Sequence, residues 1–211
     1  MNLSARSDVT PAGLAPTFFF LRHGETAWNK EGRLQGQHDV PLNPLGRDQA
    51  AAVGRTLKTV LKKHGIAEPG ALRFVASPLG RARETMEIAR HALGLDPAGY
   101  ELEDRIKELA FGDWEGKTWA ELKVTARDLV RQRRQDKWGF VPPGGESYAQ
   151  LGDRLRGWLP SVQQHDIVVA HGGVARVLLT LLAGVSTDRA PETDIWQGRV
   201  LTFAAGKHRW D

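Results

Sequence analysis

The sequence predicts an α/β fold, a three-layer sandwich with a mostly parallel central sheet, helices on both faces and an inserted helical flap. Three short apolar runs, at residues 18–21, 73–76 and 167–170, have the length of buried strands, and a helical pattern follows each run. A long charged stretch with few core-type residues lies between the second and third runs. Alternation of short apolar strands with helices is typical of parallel sheets that are covered on both faces.

The first run, FFFL, predicts the first strand. Asn43 and Pro44 then begin a helix, because Asn is a favoured N-cap and proline loses nothing by lacking an N–H at the first helical position. Apolar residues recur at three-to-four spacing over residues 50–61, and Gly65 ends the pattern.

The second run, RFVA, predicts the next strand. Ser77 and Pro78 repeat the N-cap arrangement, which predicts a helix from there to Gly94. The third run, IVVA, predicts a strand that precedes a helix over about residues 174–183, and residues 201–203 predict a further strand.

The charged stretch at residues 121–138 predicts one or more helices that lie over the edge of the sheet. The sequence PPGG then breaks the chain, and Ser147 with Gln150 makes a capping box for the next helix. We therefore expect one domain over residues 17–211, with the flap at about 117–145.

The bulk composition excludes several classes of protein. The chain has 211 residues with 41% hydrophobic content, enough for one sizeable core, and no segment approaches the roughly 20 apolar residues of a membrane span. Cysteine is absent, which excludes disulfides, thiolate metal sites and thiol nucleophiles and fits a reducing, cytoplasmic location. Residues 1–16 lack the apolar core of a secretory signal and predict a frayed tail. The net charge of +4 is weaker than that of most nucleic-acid binders and slightly favours anionic ligands.

Polar residues that are unusual for simple turns follow all three apolar runs, in the motifs LRHG, ASPLGR and VAHGG. Ligands of open α/β sheets bind outside the carboxyl ends of the strands, so parallel neighbours would bring Arg22, His23, Arg81 and His171 together there. The glycine after each histidine lets backbone approach a ligand, and two helix N-termini would aim at the same patch. A lone His-Gly pair is more often a turn, and a lone arginine is usually solvated. Their combination predicts a pocket for a phosphate or sulfate-like group.

The histidines of this pocket indicate phosphoryl transfer. A neutral imidazole, with a free pKa of about 6.5, is a competent nucleophile that accepts phosphoryl groups. Arginines neutralise charge on the transferring oxygens, and a second imidazole can donate to them. A carboxylic acid must protonate the leaving alkoxide and later deprotonate the attacking water. Glu25, Glu108 and Glu115 are the candidates, and spacing alone does not choose among them.

Several motifs together resemble those of the histidine phosphatase superfamily, the phosphoglycerate-mutase-like proteins. They are LRHGET with Asn29, GRLQGQHDVPLNPLGRDQA, SPLGRARET, KELAFGDWEGKT, PPGGES and VVAHGGVAR, and they follow in family order from Thr17 to about Leu182. The resemblance implies a mixed, mostly parallel sheet between helices, in agreement with the pattern of the chain. It implies neither a cofactor nor a metal.

The resemblance also implies roles for the matched residues. His23 would be the phosphoryl-accepting nucleophile, and Glu108, which precedes the FGDWEG segment, would be the acid–base residue. Glu115 would then hold the turn after Trp114. The residues implied to contact the phosphate or the substrate are Arg22, Asn29, Gln35, Gly36, Arg81, His171 and Gly172. The two arginines and the second histidine of this set are also expected to be catalytic.

Phosphatases and mutases of the superfamily share these residues, so several functions stay open. The segment KELAFGDWEG resembles the phosphatase branch and the flap is compact for a mutase, which favours hydrolysis of a small phosphomonoester. HGETAWN is close to the mutase version of the opening motif, so 2,3-bisphosphoglycerate-dependent isomerisation of phosphoglycerate is the alternative. An inactive phosphate-binding module is a remote alternative. A metal site of His23, His171 and Glu108 is disfavoured because the flanking arginines would repel a cation.

The remaining expectations concern the charged flap and the binding partners of the protein. We expect the basic residues from Arg127 to Lys137 to form a solvated helix face. The functional alternative is that one or two of them, with Trp119 or Trp138, contact the substrate beyond its phosphate and select a second anionic group. The expected partner is a small phosphorylated substrate, without nucleic acid or membrane, and the assembly considered is a homodimer.

Overall fold

A six-stranded sheet forms the centre of the computed structural model, which describes residues 16–211. In chain order the strands are β1 Phe18–Arg22, β2 Phe74–Ala76, β3 Glu101–Leu102, β4 Ile167–Ala170, β5 Val200–Ala204 and β6 Lys207–Trp210. Their order in the sheet is β3-β2-β4-β1-β5-β6. The first four strands in this order pair in parallel, and β5 and β6 are added antiparallel, which confirms the predicted mostly parallel sheet. The expected N-terminal tail falls on residues 1–15, outside the described part, and on Pro16.

Seven α-helices accompany the sheet over the described residues. They are α1 Ala27–Glu31, α2 Pro44–Lys63, α3 Gly80–Ala92, α4 Trp119–Thr125, α5 Arg127–Gln135, α6 Tyr148–Trp158 and α7 Gly172–Ala183. The predicted caps of α2 and α6 are present, since the Gly46 N–H donates to the Asn43 side chain and Ser147 forms a reciprocal capping box with Gln150. Helix α7 begins at Gly172, two residues before the predicted start.

Strand β1 is the central element because its side chains alternate between two cores. Phe18 and Phe20 pack into the core under α6 and α7, whereas Phe19 and Leu21 pack into the core under α2 and α3. All four side chains are buried. Full burial of each contributes about 1.5–3 kcal/mol, so β1 is firmly fixed between the two helical layers. The predicted three-layer sandwich is confirmed.

Two strands have no signal in the sequence. β3 is only Glu101–Leu102, with both residues exposed, and β6 has the polar sequence KHRW. Both lie at the edges of the sheet, where one side of the strand is unpaired and a fully apolar run is not required. Hydropathy alone therefore does not reveal them.

The predicted N-cap of α3 at Ser77 is wrong. The helix begins at Gly80 with Leu79 at the N-cap, and no side chain caps it. The Ser77 hydroxyl instead lies 2.7 Å from Nε2 of His171, on the neighbouring strand end. The Ser77 side chain thus makes a long-range contact with His171 and not the local helix cap that the sequence predicts.

The flap contains two short helices, α4 and α5, around a small core of its own. That core consists of Trp114, Leu122 and Val130. Its basic residues follow the expectation of a solvated face at Arg127, Arg131 and Arg134, which are exposed. Two basic residues of the flap depart from this expectation. The Arg133 guanidinium stacks on the Trp119 ring, and Lys137 pairs with Glu192.

Over residues 16–211, no helix combines the length and the apolar character that crossing a lipid bilayer requires.

Candidate active site

The pairing of β1 with β4 brings the two motif histidines together. The strands are parallel, with Arg22 opposite Ala170, and the His23 N–H extends the ladder by donating to the Ala170 carbonyl at 3.0 Å. The residues that follow the two strands therefore lie side by side. The imidazole rings of His23 and His171 are 5.2 Å apart between centroids, and both side chains are buried.

The chain after β1 passes very close to the start of α2. A Cβ atom at Gly24 would collide with the backbone of Gly46, so no larger residue fits at this crossing. The Gly24 N–H donates to the Thr85 hydroxyl at 3.0 Å, and this hydroxyl donates to the Arg81 carbonyl at 2.7 Å. The position of the first histidine is thereby tied to helix α3.

The hydrogen bonding of His23 fixes its tautomer. Nδ1 lies 2.7 Å from the Gly24 carbonyl, which can only accept, so Nδ1 carries the proton. Nε2 then has a free lone pair. Burial, together with the charges of Arg81 and Arg22, lowers the pKa of the imidazole well below its ordinary value. The arrangement produces a neutral imidazole that lines the cavity with its nucleophilic nitrogen unprotonated, beside two cations.

His171 is held through Nε2, whereas His23 is held through Nδ1. The Ser77 hydroxyl accepts from the Leu79 N–H at 3.4 Å and lies 2.7 Å from Nε2 of His171. Nδ1 is buried without a hydrogen-bond partner. Burial and the charges of Arg81, His23 and Arg22 lower its pKa well below the ordinary value. His171 is therefore fully buried next to His23, with one ring nitrogen unpaired.

Two guanidinium groups flank His23, that of Arg22, which is partly buried, and that of Arg81, which is fully buried. Arg22 donates from Nη1 to the Ile195 carbonyl at 2.7 Å, and Arg81 donates from its two terminal nitrogens to the carbonyls of His38 and Gly36, both at 2.7 Å. Nε of each arginine is buried and unpaired. Burial first, and then the neighbouring charge of Arg176, lowers the pKa of Arg22 to about 10. These charges are oriented by backbone carbonyls and are left available for an anion.

Of the three candidate carboxylates, only Glu108 lines the same cavity as His23. Its oxygens accept from the N–H groups of Leu109 at 2.9 Å and Gly173 at 3.1 Å. Glu25 faces elsewhere, because its carboxylate accepts from the Asn43 side chain at 2.8 Å. Glu108 is therefore the one of the three candidates whose carboxylate shares a cavity with His23.

Glu115 has a different task. Its carboxylate accepts from the backbone N–H groups of Phe111 at 3.1 Å, Gln37 at 3.0 Å and His38 at 3.1 Å. It thus joins the loop after the first histidine to the segment that carries Glu108. Gly36 lies in this loop with a positive φ of 53°, and a Cβ there would collide with the Glu115 carboxylate.

The remaining predicted binding residues, Asn29, Gln35, Gly36 and Gly172, all line the cavity. The Asn29 side-chain oxygen accepts from the Thr26 N–H and from Gln197, which leaves its NH₂ group for a ligand. The Gln35 side-chain oxygen is buried without a partner. Both amides are placed to contact oxygen atoms or hydroxyls of a bound molecule.

Segment 193–197, which precedes β5, orients three of the cavity's side chains from alternate residues. The Thr193 carbonyl accepts from Arg176 Nε at 3.0 Å, and the Ile195 carbonyl accepts from Arg22. The Gln197 amide donates to the Asn29 side chain at 3.1 Å. The sequence analysis missed this segment, and no motif in the chain marks it.

The sequence analysis also missed part of the cavity wall. The additional lining residues are Arg33, Leu34, Leu109, Phe111, Tyr148, Gly173 and Arg176. Arg176 lies within the VAHGGVAR motif, and this position was the only indication of it in the sequence. Four guanidinium groups and one carboxylate therefore line the cavity. Arg33 is paired with Glu31 and Glu121, and the other three guanidinium groups, which have no carboxylate partner within residues 16–211, leave a positive balance that suits an anion. Within residues 16–211, no three His, Asp or Glu side chains cluster closely enough to hold a metal ion.

Comparison with known proteins gives a consistent result. The sequence model of the histidine phosphatase superfamily (branch 1) matches residues 18–211. The "probable phosphoglycerate mutase GpmB" of Citrobacter koseri is 33% identical over 175 residues, which cover 79% of this chain and 74% of that protein. A mycobacterial glucosyl-3-phosphoglycerate phosphatase, solved with VO3, superposes with a TM-score of 0.73 at 29% identity, over 93% of this chain and 98% of that one. The structure of mycobacterial hydrolase 1 gives a TM-score of 0.75 at 27% identity, over 93% and 97% of the two chains.

The tautomer of His23 gives a direct test of this geometry. We expect ¹⁵N NMR of histidine-labelled protein at about pH 6.5 to show His23 neutral, with Nδ1 protonated and Nε2 bare, because its folded pKa is depressed. The exposed His208 supplies a solvated imidazole signal in the same spectrum. A doubly protonated His23, or a proton on Nε2, would contradict the assignment.

The lowered pKa values of His23 and His171 also predict how stability depends on pH. The imidazoles of the unfolded chain bind protons as the pH falls through about 6.5, whereas His23 and His171 resist protonation in the folded protein. The free energy of unfolding should therefore fall as the pH falls through this range.

Proposed function

This chain belongs to the histidine phosphatase superfamily, and from that premise we propose that it hydrolyses a small phosphomonoester through a phosphohistidine intermediate on His23. The observation that carries the proposal is the state of this imidazole. It is buried and neutral, Nδ1 is fixed by the Gly24 carbonyl, and the charges of Arg22 and Arg81 lie beside it. Such an imidazole directs Nε2 at an anion without first losing a proton.

In the first step the phosphate group binds against the free donors of Arg22 and Arg81. Nε2 of His23 attacks phosphorus as the bond from phosphorus to the leaving oxygen breaks, and Glu108 transfers a proton to that oxygen. The arginines compensate charge on the three phosphoryl oxygens. His171, whose Nδ1 is buried without a partner, carries its proton on that nitrogen in the proposed mechanism and donates it in a hydrogen bond to one of these oxygens. The products of this step are the free alcohol and N-phosphorylated His23.

In the second step the Glu108 carboxylate takes a proton from water, which attacks phosphorus. The bond between phosphorus and Nε2 breaks, inorganic phosphate leaves, and both His23 and Glu108 return to their starting protonation states. The N–H groups of Leu109 and Gly173 hold the carboxylate in place for both proton transfers. The absence of any side chain at Gly173 is required, since a Cβ would collide with Glu108.

Phosphoglycerate mutase activity is the second candidate function. The specific observation in its favour is the similarity to proteins named "probable phosphoglycerate mutase GpmB". The solved relative named as a glucosyl-3-phosphoglycerate phosphatase supports hydrolysis. A mutase would use the same His23 intermediate, return the phosphoryl group to the bound alcohol and need 2,3-bisphosphoglycerate for priming.

Replacement of His23 by alanine tests the nucleophile. We expect the wild-type protein to release phosphate from an aryl phosphate without added metal, and His23→Ala to lose at least about a thousandfold in kcat/KM because no nitrogen remains to accept the phosphoryl group. His208→Ala, at an exposed position, is the matched control. Full activity of His23→Ala would refute the assignment.

The same assay distinguishes the two candidate functions when 3-phosphoglycerate is the substrate and 2,3-bisphosphoglycerate is supplied. Both free phosphate and 2-phosphoglycerate are measured. Phosphate release supports hydrolysis, whereas formation of the isomer without phosphate release establishes the mutase instead.

Glu108→Gln tests the acid. With an alkyl phosphate, whose leaving group needs a proton, we expect the rate of the first step to fall by about 10²–10⁴. With an aryl phosphate, whose leaving phenolate is stable, we expect a loss of less than about tenfold in that step. Single-turnover measurements with both substrates provide the comparison, and equal losses would contradict the acid role.

A further inference from the structure

Ser77 follows strand β2 in the same way as His171 follows β4 and His23 follows β1, yet the proposed mechanism gives the serine no part. The Ser77 N–H donates to the Val169 carbonyl at 3.0 Å, as the His23 N–H does to the Ala170 carbonyl. Because the three strands are neighbours in the order β2-β4-β1, the serine and the two histidines form one row along the carboxyl edge of the sheet. Ser77 therefore lies on the side of His171 that faces away from the nucleophile.

The Ser77 hydroxyl has two hydrogen-bond partners within residues 16–211. Its oxygen accepts from the Leu79 N–H at 3.4 Å, and Nε2 of His171 lies 2.7 Å away. A backbone N–H can only donate, so Nε2 is the one acceptor that these two partners offer to the hydroxyl proton. The side chains of Ser77 and His171 are both fully buried, which keeps bulk water away from the hydroxyl and the ring.

The two neutral tautomers of His171 differ in how many buried groups they leave unpaired. Nδ1 has no partner in either form. If Nε2 carries the proton and donates to Ser77, the hydroxyl proton loses its acceptor, and two groups are unpaired. If Nδ1 carries the proton, the hydroxyl donates to Nε2, and the Nδ1–H alone is unpaired. Buried polar groups without partners are costly, so the second tautomer is favoured.

The doubly protonated imidazole is also disfavoured at this position. Burial first, and then the charges of Arg81, His23 and Arg22, lowers the pKa of His171 well below its ordinary value. The ring is therefore neutral near pH 7, and the count of unpaired groups in its two neutral forms decides where the proton lies.

We propose that Ser77 is a positioning residue, whose hydroxyl donates to Nε2 of His171 and thereby holds the imidazole proton on Nδ1. The importance of that proton rests on the proposed function, in which Nδ1–H donates to a phosphoryl oxygen. Both histidines then carry the proton on Nδ1 but are held through opposite nitrogens. A carbonyl binds Nδ1 of His23 and leaves a bare Nε2 that attacks phosphorus. A hydroxyl binds Nε2 of His171 and leaves an N–H that lacks only an acceptor.

The tautomer of His171 can be read by ¹⁵N NMR of histidine-labelled protein without any turnover. At about pH 7.5 we expect wild-type His171 to have Nδ1 protonated and Nε2 bare. Its signal is assigned by its absence from the spectrum of His171→Gln. In Ser77→Ala no hydroxyl holds Nε2, so the form with the proton on Nε2 should appear. Ser77→Thr keeps a hydroxyl and should keep the wild-type tautomer.

Ser161→Ala is the matched control. It removes a hydroxyl that donates to the Trp158 carbonyl at 2.7 Å, in the segment that precedes β4, whereas His171 follows that strand. The His171 signal should therefore be unchanged in this variant.

Phosphate release from an aryl phosphate tests the consequence for the reaction. Ser77 acts only through His171, so we expect kcat/KM of Ser77→Ala to fall about tenfold, as for the loss of one hydrogen bond, and not to vanish. Ser77→Thr should recover most of the loss, and Ser161→Ala should match the wild-type protein.

The two measurements separate this proposal from the proposed function. A proton on Nε2 of wild-type His171 would overturn the role of Ser77, and this result needs no variant to fold. An unchanged tautomer in Ser77→Ala, or an unchanged kcat/KM in that variant, would overturn it as well. If the wild-type protein released no phosphate while both spectra showed the expected tautomers, the proposed function would be refuted and the effect of Ser77 on His171 confirmed.

Discussion

The parallel pairing of β1 with β4 is the constraint on which the rest of the site depends. It continues one residue beyond β1, where the His23 N–H donates to the Ala170 carbonyl. Because the two strands are buried at the centre of the sheet, the residues that follow them have little freedom. The apolar run FFFL is followed directly by Arg-His-Gly, so a buried strand holds the His23 imidazole in a fixed position next to His171.

The cavity is positive because three of its four arginines are oriented by carbonyl groups, whereas only Arg33 pairs with carboxylates among the residues described. Arg22, Arg81 and Arg176 donate to backbone oxygens, which direct a guanidinium without cancelling its charge. Arg154, outside the cavity lining, instead pairs with the Glu146 carboxylate at 2.7 Å while it supports the segment before Glu108. Burying unpaired charge is unfavourable, and a bound phosphate offsets that cost while it completes the hydrogen bonds. Burial first, and then the charges of Arg81 and Arg22, lowers the pKa of His23, so the charges that attract an anion also help to keep the imidazole neutral.

Much of this arrangement follows from local sequence patterns. The apolar runs predicted β1, β2 and β4, and the order of the motifs placed Arg22, His23, Arg81 and His171 at one edge of the sheet, where the structure has them. The family resemblance pointed to Glu108, and the geometry places that carboxylate, unlike those of Glu25 and Glu115, in the cavity with His23. These features depend on neighbours in sequence or on the general rule for parallel sheets.

What the sequence did not predict depends on contacts between distant parts of the chain. Ser77 has the local pattern of a helix cap, but its hydroxyl bonds His171. Thr193 and Ile195 of segment 193–197 act through backbone carbonyl groups, which every residue has, so residue types cannot reveal them. The edge strands β3 and β6 lack apolar runs because they do not need them.

The central claim is that His23 carries the phosphoryl group, and trapping the intermediate tests it most directly. Wild-type protein is mixed with a radiolabelled aryl phosphate, quenched in alkali within the first turnover, digested and mapped by mass spectrometry. We expect label on His23 that is stable in alkali and lost in acid, as for an N-phosphorylated imidazole. Hydrolysis without labelled protein, or with label on another residue, would contradict the account.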